Sequence, residues 1–373
     1  MNSSAYTSIV VKLGTSTLTA GTSVLSPAHM VELVRQMAQC HDEGRKVVLV
    51  SSGAIAAGRE RLAFPQLPKE IPAKQMLSAV GQPRLMALYE QLFDIYKLTV
   101  AQVLLTKTDL ADRSRYLNSR NTLTALLAQG VIPIVNENDT VATEEIRFGD
   151  NDNLSALVAN LIEADLLVML TDQSGLFTAD PRTDGAAELI KDVGAESIPR
   201  SLWEAVGGST AGKFGTGGMY TKLQAADLAR RCGATVVIAS GNEENVLTRL
   251  AAGEGLGTHF SPLSTPLEGR KRYILAGGNN VHGSIAVDAG AARALRKGGS
   301  LLPVGVTHVS GEFDCGDTVK VVNPSGEEIA CGLVNYSAAD LVRIAGKKSS
   351  EIEAVLGVDV VDEVIHRNNL VLL

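Results

Sequence analysis

The stretch Ser8 to Leu18, S-I-V-V-K-L-G-T-S-T-L, decides how the chain folds. Ile9, Val10 and Val11 form a short apolar run of β-branched residues, the composition of a buried strand. Lys12 stands where that strand should end, and Gly14 and the hydroxyl residues Thr15, Ser16 and Thr17 follow. In open α/β sheets, ligands bind in the crevice outside the carboxyl ends of the strands, and a glycine beside a lysine lets backbone approach phosphate oxygens. Lys12 therefore either terminates a strand or offers a cation to an anionic ligand.

Outward from this stretch, strands and helices alternate. Ser26-Pro27 is a helix start, with serine able to cap and proline in the first helical position, and the helix runs towards Gly44. Lys46 to Val50 is a second buried strand; it ends in Ser51-Ser52-Gly53-Ala54, ahead of a helix near Ile55 to Leu62. Ala73 to Leu98 is helical on both sides of Gly81-Gln82-Pro83, which is expected to break or kink it. Strands follow at Val100 to Leu105 and Ile132 to Val135, with a helix from Arg115 to Gln129 between them; the second strand leads into Asn136-Glu137-Asn138-Asp139. Asp150-Asn151-Asp152-Asn153 precedes a helix whose apolar residues Leu154, Leu157, Val158, Leu161 and Ile162 recur at helical spacing. Leu166 to Leu170 is another strand, finishing in Thr171-Asp172. A glycine-rich loop, Gly207 to Gly218, precedes a helix from Tyr220 to Arg231 and a strand from Thr235 to Ala239.

Near-continuous apolar strands alternating with helices imply an α/β three-layer sandwich with a largely parallel sheet. Residues 1–260 are read as that domain. Residues 261–272, beginning Ser261-Pro262-Leu263-Ser264-Thr265-Pro266, have linker composition, and 273–373 read as a small β-rich, barrel-like domain with one or two helices.

Composition excludes several classes. Of 373 residues, 45% are hydrophobic and 20% charged, values close to those of ordinary soluble proteins, and nothing suggests disorder. No basic segment followed by an apolar stretch opens the chain and no run reaches the length of a membrane span, so a protein neither exported nor inserted is expected. The four cysteines lack metal-knuckle or C-x-x-C spacing, which suits a reducing cytoplasm. Six scattered histidines suggest neither a zinc site nor a Ser-His-Asp triad. The net charge of -7 argues against nucleic acid or acidic lipid as a partner. An anionic ligand would have to be held by local cations, helix N-termini and backbone amides.

Four polar clusters fall at strand ends or helix starts, which a parallel sheet brings to one rim: Lys12 to Gly14; Ser52-Gly53-Ala54; Asn136 to Asp139 with Asp150 to Asn153; and Thr216-Gly217-Gly218-Met219-Tyr220-Thr221-Lys222. The last is the phosphate candidate, since its backbone N–H groups meet the positive end of a helix. Lys222 on the first turn opposes the helix dipole, which points to something negative that binds nearby. Ser51 reads as a cap of the following helix, whereas the Ser52 to Ala54 backbone leaves room for a ligand. Asp150 to Asn153 hold more side-chain caps than one helix needs; a carboxylate there could position lysines, and the amides could grip amino or carboxylate groups. Gly207 to Lys213 imitates a Walker A loop, but Phe214 replaces the hydroxyl that binds magnesium. Asp150-Asn151-Asp152 imitates a calcium loop, but Leu154 stands at a ligand position. If the acceptor is a carboxylate it is already ionised, and phosphoryl transfer needs no general base, only positioning and charge neutralisation.

Together these motifs resemble the glutamate 5-kinases of the amino acid kinase superfamily: V-V-K-L-G-T-S at Val10, S-S-G-A-I-A-A-G at Ser51, N-E-N-D at Asn136, G-D-N-D-N-L-S-A at Gly149, L-T-D-Q-S-G-L-F-T-A-D-P-R at Leu170 and G-T-G-G-M-Y-T-K at Gly215. G-G-S-L-L-P-V-G-V at Gly298 and F-D-C-G-D at Phe313 resemble a PUA domain. Residues 270–373 hold 11 Lys/Arg and 12 Asp/Glu, so the basic footprint of an RNA binder is missing, and a structural or regulatory role is expected for this part. The resemblance implies ATP and Mg²⁺ as cofactors, with L-glutamate phosphorylated on its γ-carboxylate for proline synthesis. It implies that Lys12 and Lys222 stabilise the transferring phosphoryl group and that Asp152 holds both lysines. Ser52, Gly53, Ala54, Asn136, Asp139 and Asn151 would bind glutamate; Lys12, Gly14, Thr171, Asp172 and Thr216 to Lys222 would bind ATP. Proline as feedback inhibitor, a homo-oligomer (dimer or tetramer) and transient hand-over to a glutamyl-phosphate reductase are further expectations. The rival readings are an amino acid kinase acting on aspartate, N-acetylglutamate or a nucleotide, and an RNA-binding protein acting through the tail.

Overall fold

The computed structural model describes residues 6–68, 70–142, 150–207, 218–263, 283–357 and 361–373. Among these, the first part of the chain runs β1 (Ser8–Leu13), α1 (Thr15–Leu18), α2 (Pro27–Asp42), β2 (Lys46–Ser51), α3 (Ala54–Arg61), α4 (Ile71–Asp94), β3 (Val100–Leu105), α5 (Lys107–Ala111), α6 (Arg113–Ala128) and β4 (Ile132–Glu137). It continues with α7 (Asp150–Leu161), β5 (Leu166–Thr171), β6 (Asp192–Val193), α8 (Arg200–Gly207), α9 (Met219–Arg231), β7 (Thr235–Ser240), α10 (Val246–Ala251) and β8 (Thr258–Phe260). The strands form one sheet in the order β3-β4-β2-β1-β5-β7-β8-β6. Neighbours are parallel except β7 and β8.

β1 lies between β2 and β5, and all six of its residues are buried, which explains the apolar run from Ile9 to Val11. Ile9, Val11 and Leu13 face the core shared with α2, α3, α4 and α10. Because side chains alternate along a strand, Val10 and Lys12 point to the opposite face, where α7 packs on β1 and against α9. From β1 the chain lays β2, β4 and β3 to one side and β5 and β7 to the other, so the strand order reverses at β1. That reversal is the switch point at which open α/β sheets bind ligands.

Of the break or kink expected at Gly81-Gln82-Pro83, the break does not occur: α4 is one helix of 24 residues with Pro83 inside it. A mid-helix proline costs roughly 3 kcal/mol. The same helix buries Leu77, Leu85, Tyr89 and Phe93 almost completely, at roughly 1.5–3 kcal/mol each, so tertiary burial wins. Two glycines set its distance from α3. A Cβ on Gly58 would lie 1.9 Å from the Leu77 carbonyl oxygen, and one on Gly81 would lie 1.8 Å from that of Ala54. The two helices touch backbone to backbone.

The second part holds β9 (Gly283–Val287), α11 (Ala289–Arg296), β10 (Val306–Gly311), β11 (Thr318–Val322), β12 (Glu328–Leu333), α12 (Ala338–Ile344), α13 (Ile352–Leu356) and β13 (Leu370–Leu372). Its five-stranded sheet, ordered β10-β9-β11-β12-β13, has its own core around Ile285, Val287, Val319, Val321 and Ile365. The short α13 takes its helices beyond the one or two expected. The chain divides into two compact units, Met1–Lys107 with Arg120–Pro266 and Thr108–Ser119 with Leu267–Leu373. This differs from the expected division by placing Thr108–Ser119 in the second unit; most of the expected linker lies outside the described residues. No helix among the described residues is long and apolar enough to cross a membrane.

Adding a methyl group where backbone meets backbone should destabilise the fold. Gly58→Ala and Gly81→Ala are each expected to cost about 1–3 kcal/mol or more. Gly194→Ala, with nothing within 4 Å of the added Cβ, should stay within about 0.5 kcal/mol of the parent. Urea melts check this, and equal midpoints for all three variants would show that α3 and α4 can part freely.

Candidate active site

The parallel registers bring the strand ends together. Lys12 is level with Val50 of β2 and Met169 of β5, and Leu13 with Ser51 and Leu170. α7 and α9 begin over this edge, so the third residue of α7, Asp152, and the fourth of α9, Lys222, reach the same point. Lys12 Nζ lies 2.7 Å from Asp152 Oδ1, and Lys222 Nζ lies 3.4 Å from Asp152 Oδ2. The Thr221 hydroxyl is shared between Asp152 Oδ2 at 2.7 Å and the Gly218 carbonyl at 2.8 Å. Asp152 is 1% exposed, Lys12 4% and Lys222 6%, so all three charges sit away from water.

Burial pushes the Asp152 carboxyl up, but Lys12 and then Lys222 overcome it and hold the group below the usual carboxylate range. Burial pushes the Lys222 ammonium down and repulsion from Lys12 adds to this, against the pull of Asp152 and Asp172. Two cations and one anion leave a formal charge of +1 in a dry place. Such a site gains from one more negative group. A Cβ on Gly14 would come within 3.4 Å of Lys12 Nζ, so the glycine keeps the space beside that ammonium free of side chain.

A second polar group adjoins the first. Asn151, next to Asp152 on α7, donates from Nδ2 to Ser52 Oγ at 2.9 Å and to Asn136 Oδ1 at 3.0 Å. Asn136 Nδ2 in turn donates to Gln82 Oε1 at 2.8 Å. One turn before Gln82, the Ser78 hydroxyl donates to Asp139 Oδ2. Burial raises the Asp139 carboxyl above its ordinary value, opposed by Ser78 and by the charge of Lys74.

Lys12, Asp152 and Lys222 thus meet, as do Ser52, Asn136 and Asn151, with Gly53 and Ala54 starting α3 beside Ser52. Gly53 adopts φ 104°, which a glycine tolerates best. Thr171 closes β5 and donates to Asp172, whose charge acts on Lys222. Met219 and Tyr220 begin α9, and the Tyr220 ring packs edge-on against Trp203, 5.6 Å between centroids. Thr216 and Gly217 lie outside the described residues. Ser51 does not cap α3: its hydroxyl lies 2.7 Å from that of Tyr89 and donates to the Ser52 carbonyl, and α3 has no side-chain cap. Asp152 is no mere cap either, since its oxygens are taken by two lysines. Asp152 is the negative side chain that the fold itself sets beside Lys222. Ser78 and Gln82 escaped sequence reasoning; their four-residue spacing on one helix face was the available signal, hidden by Pro83.

Residues 7–240 match the amino acid kinase family and residues 283–356 match the PUA domain. A relative from Shewanella oneidensis, called glutamate 5-kinase, is 56% identical over 370 residues, covering 99% of this chain and 98% of its own. Another of that name, from Herpetosiphon aurantiacus, is 55% identical over 373 residues, 100% of both chains. Among solved structures, a UMP kinase from Bacillus anthracis superposes with a TM-score of 0.48 at 16% identity, over 69% of this chain and 97% of its own.

The depressed Asp152 carboxyl ties stability to pH. The folded state holds fewer protons there than the unfolded chain, whose value is about 3.9, so the stabilisation is complete above that value and is lost as pH falls through the lower folded one. Asp152→Asn should therefore cost about 3–5 kcal/mol at pH 7, the usual effect of breaking a buried pair, and the gap to the parent should narrow below about pH 4. Urea melts across that range test it; a gap independent of pH would show that Asp152 does not act through its charge.

Proposed function

The chain belongs to the amino acid kinase family, and on that premise we propose that it transfers the γ-phosphoryl group of ATP to the side-chain carboxylate of L-glutamate. The observation that carries the reading is the buried Lys12–Asp152–Lys222 group, at the strand edge of a chain that matches glutamate 5-kinases along its whole length. One carboxylate oxygen of glutamate forms a bond to the γ-phosphorus while the bond from that phosphorus to the bridging oxygen breaks, and ADP leaves with the electron pair. The acceptor is ionised at neutral pH, so no proton has to be removed. Charge instead has to be held as it spreads over the transferring group, the task for which Lys12 and Lys222 are suited. Asp152 keeps the two ammonium groups apart from each other and aimed. As a positioning residue it takes no proton.

Ser52, the Gly53 and Ala54 backbone, Asn136, Asp139 and Asn151 are assigned to glutamate. Gly14, Thr171, Asp172 and the segment from Thr216 to Lys222 are assigned to ATP. Mg²⁺ fits these residues as an ion carried in on the nucleotide: among the described residues no three carboxylate, histidine or cysteine side chains gather into a cage, and Asp152 is committed to lysines. An ion that keeps most of its coordination to phosphate oxygens and water suits that donor set, with the exposed Asp172 as the carboxylate at hand. When bound, it neutralises phosphate charge.

The product, γ-glutamyl phosphate, is an acyl phosphate, reactive towards water. It calls for prompt reduction, so hand-over to a glutamyl-phosphate reductase in proline synthesis belongs to the same reading. So do a cytoplasmic location, a dimeric or tetrameric assembly, and inhibition by proline at or overlapping the glutamate site.

Incubation with ATP, Mg²⁺ and hydroxylamine should yield hydroxamate from glutamate; formation from aspartate or N-acetylglutamate instead would overturn the substrate. Lys12→Ala and Lys222→Ala should each lower kcat by about 10²–10³ while changing the KM for glutamate far less, because their contacts strengthen in the transition state. Near-normal kcat in either variant would remove that lysine from the mechanism.

A further inference from the structure

A carboxamide's orientation is fixed by what its two ends touch. The main-chain N–H of Glu137 can only donate, so the Asn136 atom it meets at 2.9 Å is the carbonyl Oδ1. Nδ2 of Asn136 then faces Gln82 at 2.8 Å, and the atom there must be the acceptor Oε1. The same Asn136 Oδ1 faces Asn151 at 3.0 Å, so that end of Asn151 is Nδ2. One backbone donor thereby orients three amides in series. The two outer ones are left with Gln82 Nε2 and Asn151 Oδ1, both buried and, among the described residues, both without a hydrogen-bond partner.

A buried donor at one end of the relay and a buried acceptor at the other each call for a polar partner. An α-amino acid presents the two complements on a single carbon, a carboxylate that only accepts and an ammonium that only donates. Asn151 Oδ1, with the carboxylate of Asp139, matches the ammonium. We propose that Gln82 Nε2 donates to the α-carboxylate of the substrate, which makes Gln82 a specificity-determining residue for amino acids over simple acids. The placement follows from the fold: Gly81 presses α4 onto the start of α3, and Gln82 and Ser78, one turn apart, then face Asn136 and Asp139 of the segment that ends β4. This assignment rests on glutamate being the substrate.

Gln82→Glu tests it, because the new side chain still accepts from Asn136 Nδ2 but turns an anion towards the α-carboxylate. Two competitive probes separate the ends: 4-aminobutanoate is glutamate without its α-carboxylate, and glutarate is glutamate without its ammonium. Gln82→Glu should raise the KM for glutamate about tenfold or more, with the effect concentrated in KM rather than kcat, and weaken glutarate inhibition to a similar degree. Inhibition by 4-aminobutanoate should change by less than about twofold, since nothing of it faces residue 82. Gln82→Met, which loses both contacts, should show the same selectivity if it keeps the parent's melting temperature. Equal weakening of all three ligands would reduce Gln82 to a prop for Asn136 and overturn the assignment, as would no change in any. Hydroxamate formation by the unsubstituted protein keeps the two readings apart: with it, an unselective variant sinks only the role of Gln82; without it, the substrate itself is wrong and the assignment falls too.

Discussion

One carboxylate between two ammonium groups, all out of water, is the constraint on which the site depends. Asp152 with a single lysine would be a neutral buried pair, often no more stabilising than apolar residues of the same size. With two lysines the group stays cationic, and repulsion between Lys12 and Lys222 is contained only because Asp152 is held between them. Three elements must therefore end at one point: β1, and the first turns of α7 and α9. The reversal of strand order at β1 brings them there, and Thr221 adds a hydroxyl to the same carboxylate oxygen.

The amide-lined side of the site obeys a different constraint, the close approach of two helices. Gly58 and Gly81 leave no space for a Cβ where α3 and α4 cross, so α4 lies against the segment that carries Ser52 to Ala54. From there it delivers Ser78 and Gln82 to the residues at the end of β4. Charge thus organises one half of the site, and an amide relay organises the other. Asn151 and Asp152, adjacent on α7, join the halves, so in the proposed reaction the acceptor carboxylate comes next to the lysines.

Much of this was legible in the sequence because local rules apply. β1 is buried on both faces and reads as an apolar run; Lys12 interrupts that run at the strand end, where an unpaired lysine in a core would be prohibitive. The small residues after β2 and the acidic and amide residues at the start of α7 exceed what caps and turns need. Where a single local rule met a tertiary exception, the reading failed. Pro83 is a breaker in isolation, yet the burial of Leu77, Leu85, Tyr89 and Phe93 carries the helix through it. Ser51 has the composition of a cap, yet Tyr89, 38 residues on, takes its hydroxyl.

By itself, then, the sequence determined the alternation of strands and helices, the parallel sheet and the identity of the charged residues at its rim, since periodicity and burial are written residue by residue. The tertiary structure alone decided that Lys12 and Lys222, 210 positions apart, share one carboxylate, and that Gln82 reaches Asn136. Those pairings depend on which helix crosses which strand end and how closely, distances set by packing and by two glycines rather than by any local propensity.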